Sequence, residues 1–172
     1  NNIIPDTDNI QGVTPVGNTN LTAPQTSSTY TPVENKIISG SLDSSVLSLT
    51  AGSTYTISDA TQLKNLQTLV ANGASTAGVT IKLANSFTMT GSDWAGIGTS
   101  SNAFAGNFDG NGYTISNLSG TQGLFGYTNG ATVENVRLEN ENISSNSSYV
   151  GGLIGYATNT NISNVAVTVG SS

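Results

Sequence analysis

The sequence predicts an all-β chain whose second half is a stack of similar coils, and three observations predict it. Of the 172 residues, 68 are Ser, Thr or Asn and another 20 are Gly, so half the chain favours turns and strands over helices. Two landmarks return at one offset. Gly123-Leu124-Phe125-Gly126-Tyr127 reappears as Gly152-Leu153-Ile154-Gly155-Tyr156, and Val133-Glu134-Asn135-Val136-Arg137-Leu138 reappears as Ile162-Ser163-Asn164-Val165-Ala166-Val167, each 29 residues on. Inside these units Leu124, Val136, Leu138, Leu153, Val165 and Val167 are spaced to point into a shared interior. A period of this size means units that bury their apolar face only against neighbours, with parallel pairing from coil to coil.

The elements follow in chain order. All four prolines, Pro5, Pro15, Pro24 and Pro32, fall in the first 35 residues, and a residue without an N–H cannot donate to a ladder, so residues 1–35 read as an extended leader. Ile37-Ile38 and Val46-Leu47-Ser48-Leu49 are short β-type runs ending at an Ala51-Gly52 turn. A helix is expected over about 59–72: Asp59 can cap it with Gln62 three residues on, Ala60, Leu63, Leu66, Leu69 and Val70 recur at helical spacing, and Gly73 supplies the stop. Val79-Thr80-Ile81-Lys82-Leu83 and Phe87-Thr88-Met89 read as strands before a turn at Trp94-Ala95-Gly96-Ile97-Gly98. Ile115-Ser116-Asn117-Leu118 has the spacing of Val133-Glu134-Asn135-Val136, so Asn117, Asn135 and Asn164 are expected at one corner as a stacked asparagine ladder. Gly106, Gly110 and Gly112 are expected in turns at positive φ. The organisation is thus a leader (1–35), a capping region whose helix covers the first coil (36–103), and the coils themselves (104–172).

Composition excludes several functions. With no His and no Cys there is no Ser-His-Asp triad, no thiol nucleophile and no zinc or haem site of the usual kind, so no cofactor is expected. Four basic residues against ten acidic ones give a net charge of -6, which opposes nucleic acid and anionic lipid. No apolar run approaches a membrane span, and the Thr, Ser and Asn-rich acidic composition leans towards bacterial export.

Phe104-Ala105-Gly106-Asn107-Phe108-Asp109-Gly110-Asn111-Gly112-Tyr113-Thr114-Ile115-Ser116-Asn117-Leu118, followed by Gly123-Leu124-Phe125-Gly126 and Gly152-Leu153-Ile154-Gly155, resembles the GLUG-type repeats of large bacterial surface proteins. The helix, the Ile81-Lys82-Leu83 strand and the Trp94 turn are similar to what precedes such repeats, so the resemblance spans roughly residues 55–168. It implies a right-handed parallel β-helix (β-solenoid) with one capping α-helix in a secreted or cell-surface adhesin, and it transfers no catalytic residue. Asn2-Ile3-Ile4-Pro5-Asp6 is similar to the start of secretion domains in filamentous-haemagglutinin-like exoproteins, although the NPNG-type motifs of that domain are missing.

The candidate sites are few. A polysaccharide-active enzyme would need two or three converging carboxylates, and the ten are Asp6, Asp8, Glu34, Asp43, Asp59, Asp93, Asp109, Glu134, Glu139 and Glu141. Asp93 and Asp109, both near the Trp94 turn, are the pair to watch, whereas Glu134, Glu139 and Glu141 flank Arg137 as expected surface charge. Asp109-Gly110-Asn111-Gly112 offers hard oxygens to calcium but too few of them. Among the aromatic residues Tyr30, Tyr55, Tyr113, Tyr127, Tyr149, Tyr156 and Trp94, Tyr127 and Tyr156 occupy equivalent positions and are expected to stack, and Trp94 is expected to pack over the core. No residue is assigned as catalytic, metal-ligating or ligand-binding. The expected function is a non-enzymatic, adhesive display segment binding a glycan or protein on a host or neighbouring cell. The alternatives are a filament or stalk subunit that self-associates through the leader or the open ladder after Asn161, and a polysaccharide-active β-helix enzyme.

Overall fold

Parallel pairing is what the alternating segments achieve in a computed structural model that describes residues 15–16, 18–19 and 40–170. The chain divides into two units, residues 1–34 and 35–172. In the first unit the described residues are two short strands, β1 (Pro15–Val16) and β2 (Asn18–Thr19), paired antiparallel. The rest of the expected leader, its haemagglutinin-like start and the Ile37-Ile38 strand lie outside the described residues.

The second unit is mostly β with parallel sheets and one helix. Its first strands are β3 (Gly40–Ser41) and β4 (Thr54–Ile57), then helix α1 (Ala60–Ala71), β5 (Thr80–Leu83), β6 (Phe87–Thr88), β7 (Asn107–Asp109), β8 (Thr114–Ser116) and β9 (Ser119–Gly120). There follow β10 (Phe125–Asn129), β11 (Thr132–Ile143), β12 (Ile154–Thr158) and β13 (Asn161–Val169). Register partners form columns: Tyr55, Ile81, Phe108, Val133 and Ile162 make one, and Phe87, Ile115, Leu138 and Val167 another. The interior members from Tyr55 to Val133, with Ile115 and Leu138, are fully buried, each burial worth roughly 1.5–3 kcal/mol. Phe125 pairs with Ile154, Tyr127 with Tyr156, Val133 with Ile162 and Val136 with Val165, so residues 29 apart are partners in the last two units.

Helix α1 forms where its caps place it. The Asp59 carboxylate accepts from Gln62 N at 2.9 Å, and Gln62 Oε1 accepts from Ser58 N at 2.8 Å. At the other end Gly73, at φ +94°, donates to Val70 O while Ala74 N donates to Leu69 O, a complete Schellman stop. Leu63, Leu66 and Val70 are the stripe it buries. The run at residues 46–49 is not a strand: Asp43 closes a turn by accepting from Ser45 N, Val46 N donates to Asp43 O, and Leu47 is left exposed with no ladder partner.

Corners are turned by left-handed residues. Asn111, Asn117, Asn135, Asn140, Asn159 and Asn164 have φ between 47° and 64°, a region that asparagine tolerates better than other side-chain-bearing residues. Gly130 at φ 78° is followed 29 residues on by Asn159 at 47°, the two residue types exchanging at one corner. The single expected asparagine ladder is in fact two. Asn164 Nδ2 donates to Asn135 Oδ1 at 2.8 Å, whereas Asn140 Nδ2 donates to Asn117 Oδ1 at 2.6 Å, because Ile115 pairs with Leu138 instead of Val133. Gly112 does take positive φ, but Gly106 and Gly110 do not. They are glycines because a Cβ would run into the carbonyl oxygens of Thr76 and Val79, and of Asn135.

Asn135 combines both roles, at φ 57° and with side-chain bonds to Asp109 and Asn164. Replacing Asn135 with Ala is expected to cost about 2–4 kcal/mol, the left-handed strain adding to the lost bonds. Asn135→Gly keeps the backbone region and should cost about half as much. Urea midpoints at constant m-value check this, and equal losses for the two variants would refute the corner role.

Candidate functional site

The two carboxylates singled out for glycoside chemistry are engaged separately. Asp93, with a side chain 78% exposed, pairs with Lys64 on α1 at 3.3 Å, and that hydrogen bond holds its carboxyl below the usual carboxylate range. Asp109, at the end of β7, accepts from Asn111 N at 2.8 Å and from Asn135 Nδ2 at 3.1 Å. Its oxygen therefore serves the corner, as do the neighbouring amides, Gly110 N donating to Glu134 O and Gly112 N to Asn135 O. Among the described residues no group of three or more His, Cys, Asp or Glu side chains converges as a metal site would require.

Trp94 is buried and its Nε1 donates to Gly123 O at 2.7 Å, which ties the loop before β7 to the turn before β10. A ring in that position presents no face to a ligand. Gln122 is a second internal tie that the sequence reading passed over. Its Oε1 accepts from Gly123 N and Gly151 N, and its Nε2 donates to Tyr149 O at 2.7 Å, fixing the segment after β11 against the preceding unit.

That tie places an aromatic surface. Tyr127 and Tyr156 stack with ring centroids 5.5 Å apart, and Tyr149 meets Tyr156 edge-on at 4.9 Å and Tyr127 at 6.3 Å. Tyr149 is 48% and Tyr156 41% exposed, with Val150 exposed beside them. The spacing of 29 found the Tyr127 and Tyr156 pair; Tyr149 has no counterpart one period earlier, where residue 120 is glycine. Three tyrosines held by packing form a broad apolar surface edged with hydroxyls, suited to a protein or glycan face.

Glu141 departs furthest from expectation. It is 1% exposed, neither side-chain oxygen has a hydrogen-bond partner among the described residues, and burial pushes its carboxyl up from 4.5 to about 7. The signal that could have found it is the corner rule: Asn117, Asn135 and Asn164 are each followed by an inward apolar residue, Leu118, Val136 and Val165, and Asn140 is followed by Glu141.

Residues 98–169 match the family model of the M26 IgA1-specific metallo-endopeptidase N-terminal region, which is under half of the chain. No curated protein and no solved structure is significantly similar to the chain. No GLUG-repeat or haemagglutinin family matches, so that resemblance is corrected to one with the M26 N-terminal region. The same finding overturns the non-enzymatic adhesive segment, because a match to a peptidase region points to a protease-related protein. The residues present do not fit the metal which such a peptidase implies, since the chain has neither His nor Cys and its described carboxylates do not cluster. Within the described residues the tyrosine trio is an exposed aromatic cluster, and the family likeness is to an N-terminal region of a metallo-endopeptidase.

Proposed function

We propose that this chain is part of the N-terminal region of an exported, protease-related protein and that it helps engage a protein substrate. Hydrolysis would be carried by residues other than these 172. The observation that carries this reading is the coincidence of the family match, residues 98–169, with the units that create and fix the tyrosine trio. A rigid ladder suits such a task, since aromatic anchors held by neighbouring packing lose little freedom on binding. The exported location accords with the family's IgA1 target and with a chain in which no described helix is long and apolar enough to cross a membrane.

The ladders themselves are proposed to be coils of a right-handed parallel β-helix. Supporting this are the columns of register partners and the 29-residue return of both strand and corner in the last two units. Units that touch only neighbours can be removed whole.

Two outcomes are expected. Surface-plasmon titration with IgA1, the target in the family's name, should show binding. Changing Tyr149 and Tyr156 together to Ser should weaken it about tenfold or more while the chain stays folded, with a fall of only about a few degrees in the melting temperature. No binding by the unaltered chain, or equal binding by the variant, would overturn the substrate-facing role. Excising residues 125–153 joins Leu124 to Ile154 in register, and the shortened chain should keep a cooperative β-type unfolding transition. Excising residues 125–139 alone should abolish it; equal behaviour of the two deletions would sink the coil proposal.

A further inference from the structure

Glu141 sits where the ladder supplies apolar residues. It precedes Asn142 as Leu118 precedes Ser119, and Asn142 and Ser119 are register partners, so its counterpart one rung earlier is a leucine. On the following rung its partner is Val169, and the pairing of β11 with β13 shifts register between Leu138 and Glu141. The carboxyl lies beside Gly152: a Cβ there would stand 3.1 Å from Glu141 Oε1, and 3.1 Å from a Val167 methyl on β13. Gly170 N donates to the Glu141 backbone carbonyl at 2.6 Å, which holds the end of β13 to β11.

We infer that Glu141 is a proton-operated latch on the β13 rung: with the carboxyl neutral the rung end is seated on β11, and with the carboxyl ionised residues 167–170 lift away. The inference does not rest on the peptidase reading. No described residue offers either carboxyl oxygen a hydrogen bond, and an ionised carboxylate without partner or water is costly in a low-dielectric interior. The relief available is water, and the ladder is already interrupted beside Glu141, where the pairing of β11 with β13 shifts register, so water is admitted most cheaply by parting the two strands there. Among the described residues β11 is paired with β7, β8 and β9 on one side and with β13 on the other, the last register pair of β11 and β13 being Glu141 with Val169.

Other charges do not offset this. The elements packed against the carboxyl, β9, β13 and the turn at residues 151–152, carry no titratable side chain. In the segment leading into that turn, Tyr149 is engaged with Tyr127 and Tyr156. On β11 itself Arg137 and Glu139 are exposed, and Glu134 is register partner to Asp109 at the far end of the strand. A carboxyl whose folded value is raised loses its stabilising protonation as pH climbs, so the latch releases towards and above about 7 and is tight in acid.

Native-state amide exchange over residues 167–170 tests the latch, with Leu138 as an internal reference and intrinsic exchange rates removed. Raising the carboxyl to about 7 implies that the local opening constant grows about thirtyfold between about pH 5.5 and 8.5. Glu141→Gln and Glu141→Leu should both be flat over that range. A flat wild-type profile, or a slope retained in either folded variant, would overturn the inference. Should both variants fail to fold, the carboxyl carbon of Glu141 in the wild-type chain decides by its own NMR titration: a midpoint near 7 supports the latch and one in the ordinary carboxylate range refutes it.

Discussion

Stacking parallel strands in register requires each unit to turn at the same places, and among the described residues from 111 onward asparagine does most of the turning. A parallel ladder aligns equivalent backbones, so a corner that strays in one unit misplaces the inward residues of the next. Left-handed asparagines meet the geometric need at modest cost, and their amides then bond each other across rungs, as Asn135 does to Asn164 and Asn117 to Asn140. The corner also sets side-chain direction, for the residue after it faces inward: Leu118, Val136 and Glu141 are all buried. One local backbone choice thus determines what reaches the core, how rungs are tied together and where a carboxyl becomes trapped.

How far this was legible depended on whether side chains repeat where backbones do. The last two units were readable because Phe125 to Ile154 and Val133 to Ile162 are conservative exchanges at one offset of 29. Earlier rungs were not, since Tyr55 pairs with Ile81, Ile81 with Phe108 and Phe108 with Val133 at shorter and unequal offsets, the difference being taken up in turns. The displaced Asn117 has a chemical reason. Leu138-Glu139-Asn140-Glu141 repeats the spacing of Ile115-Ser116-Asn117-Leu118, but a glutamate in place of the apolar residue hid the second corner. Helix α1 was legible throughout because its caps are local interactions, Asp59 with Gln62 and Gly73 with Val70. The tyrosine trio was only two-thirds legible, Tyr149 being brought in by the internal Gln122 tie, which has no sequence period.

The family likeness and the composition pull against each other until they are assigned to different tasks. A metallo-endopeptidase needs a metal with imidazole, thiolate or clustered carboxylate ligands, and this chain has no imidazole or thiolate. What it has are carboxylates taken one at a time: Asp59 by a helix, Asp93 by Lys64, Asp109 by a corner. Those engagements leave Tyr149 and Tyr156 as exposed aromatic side chains outside the carboxylate interactions.

The low charge content follows from the same stacking. In a parallel ladder outward side chains of successive rungs stand under 5 Å apart, so like charges in one column repel directly. With 8% charged residues the chain avoids this almost everywhere: Arg137 has Thr114 and Ala166 as its register partners, and Glu139 has Ser116. The exception is the column Lys82, Asp109 and Glu134. There Asp109 has Lys82 as its register partner on one side and Glu134 on the other, and Asn135 donates to its carboxylate. A polar surface of Thr, Ser and Asn is what remains when a ladder must be solvated without being charged, and it leaves aromatic side chains as the sparse, strongly interacting exceptions on an otherwise neutral face.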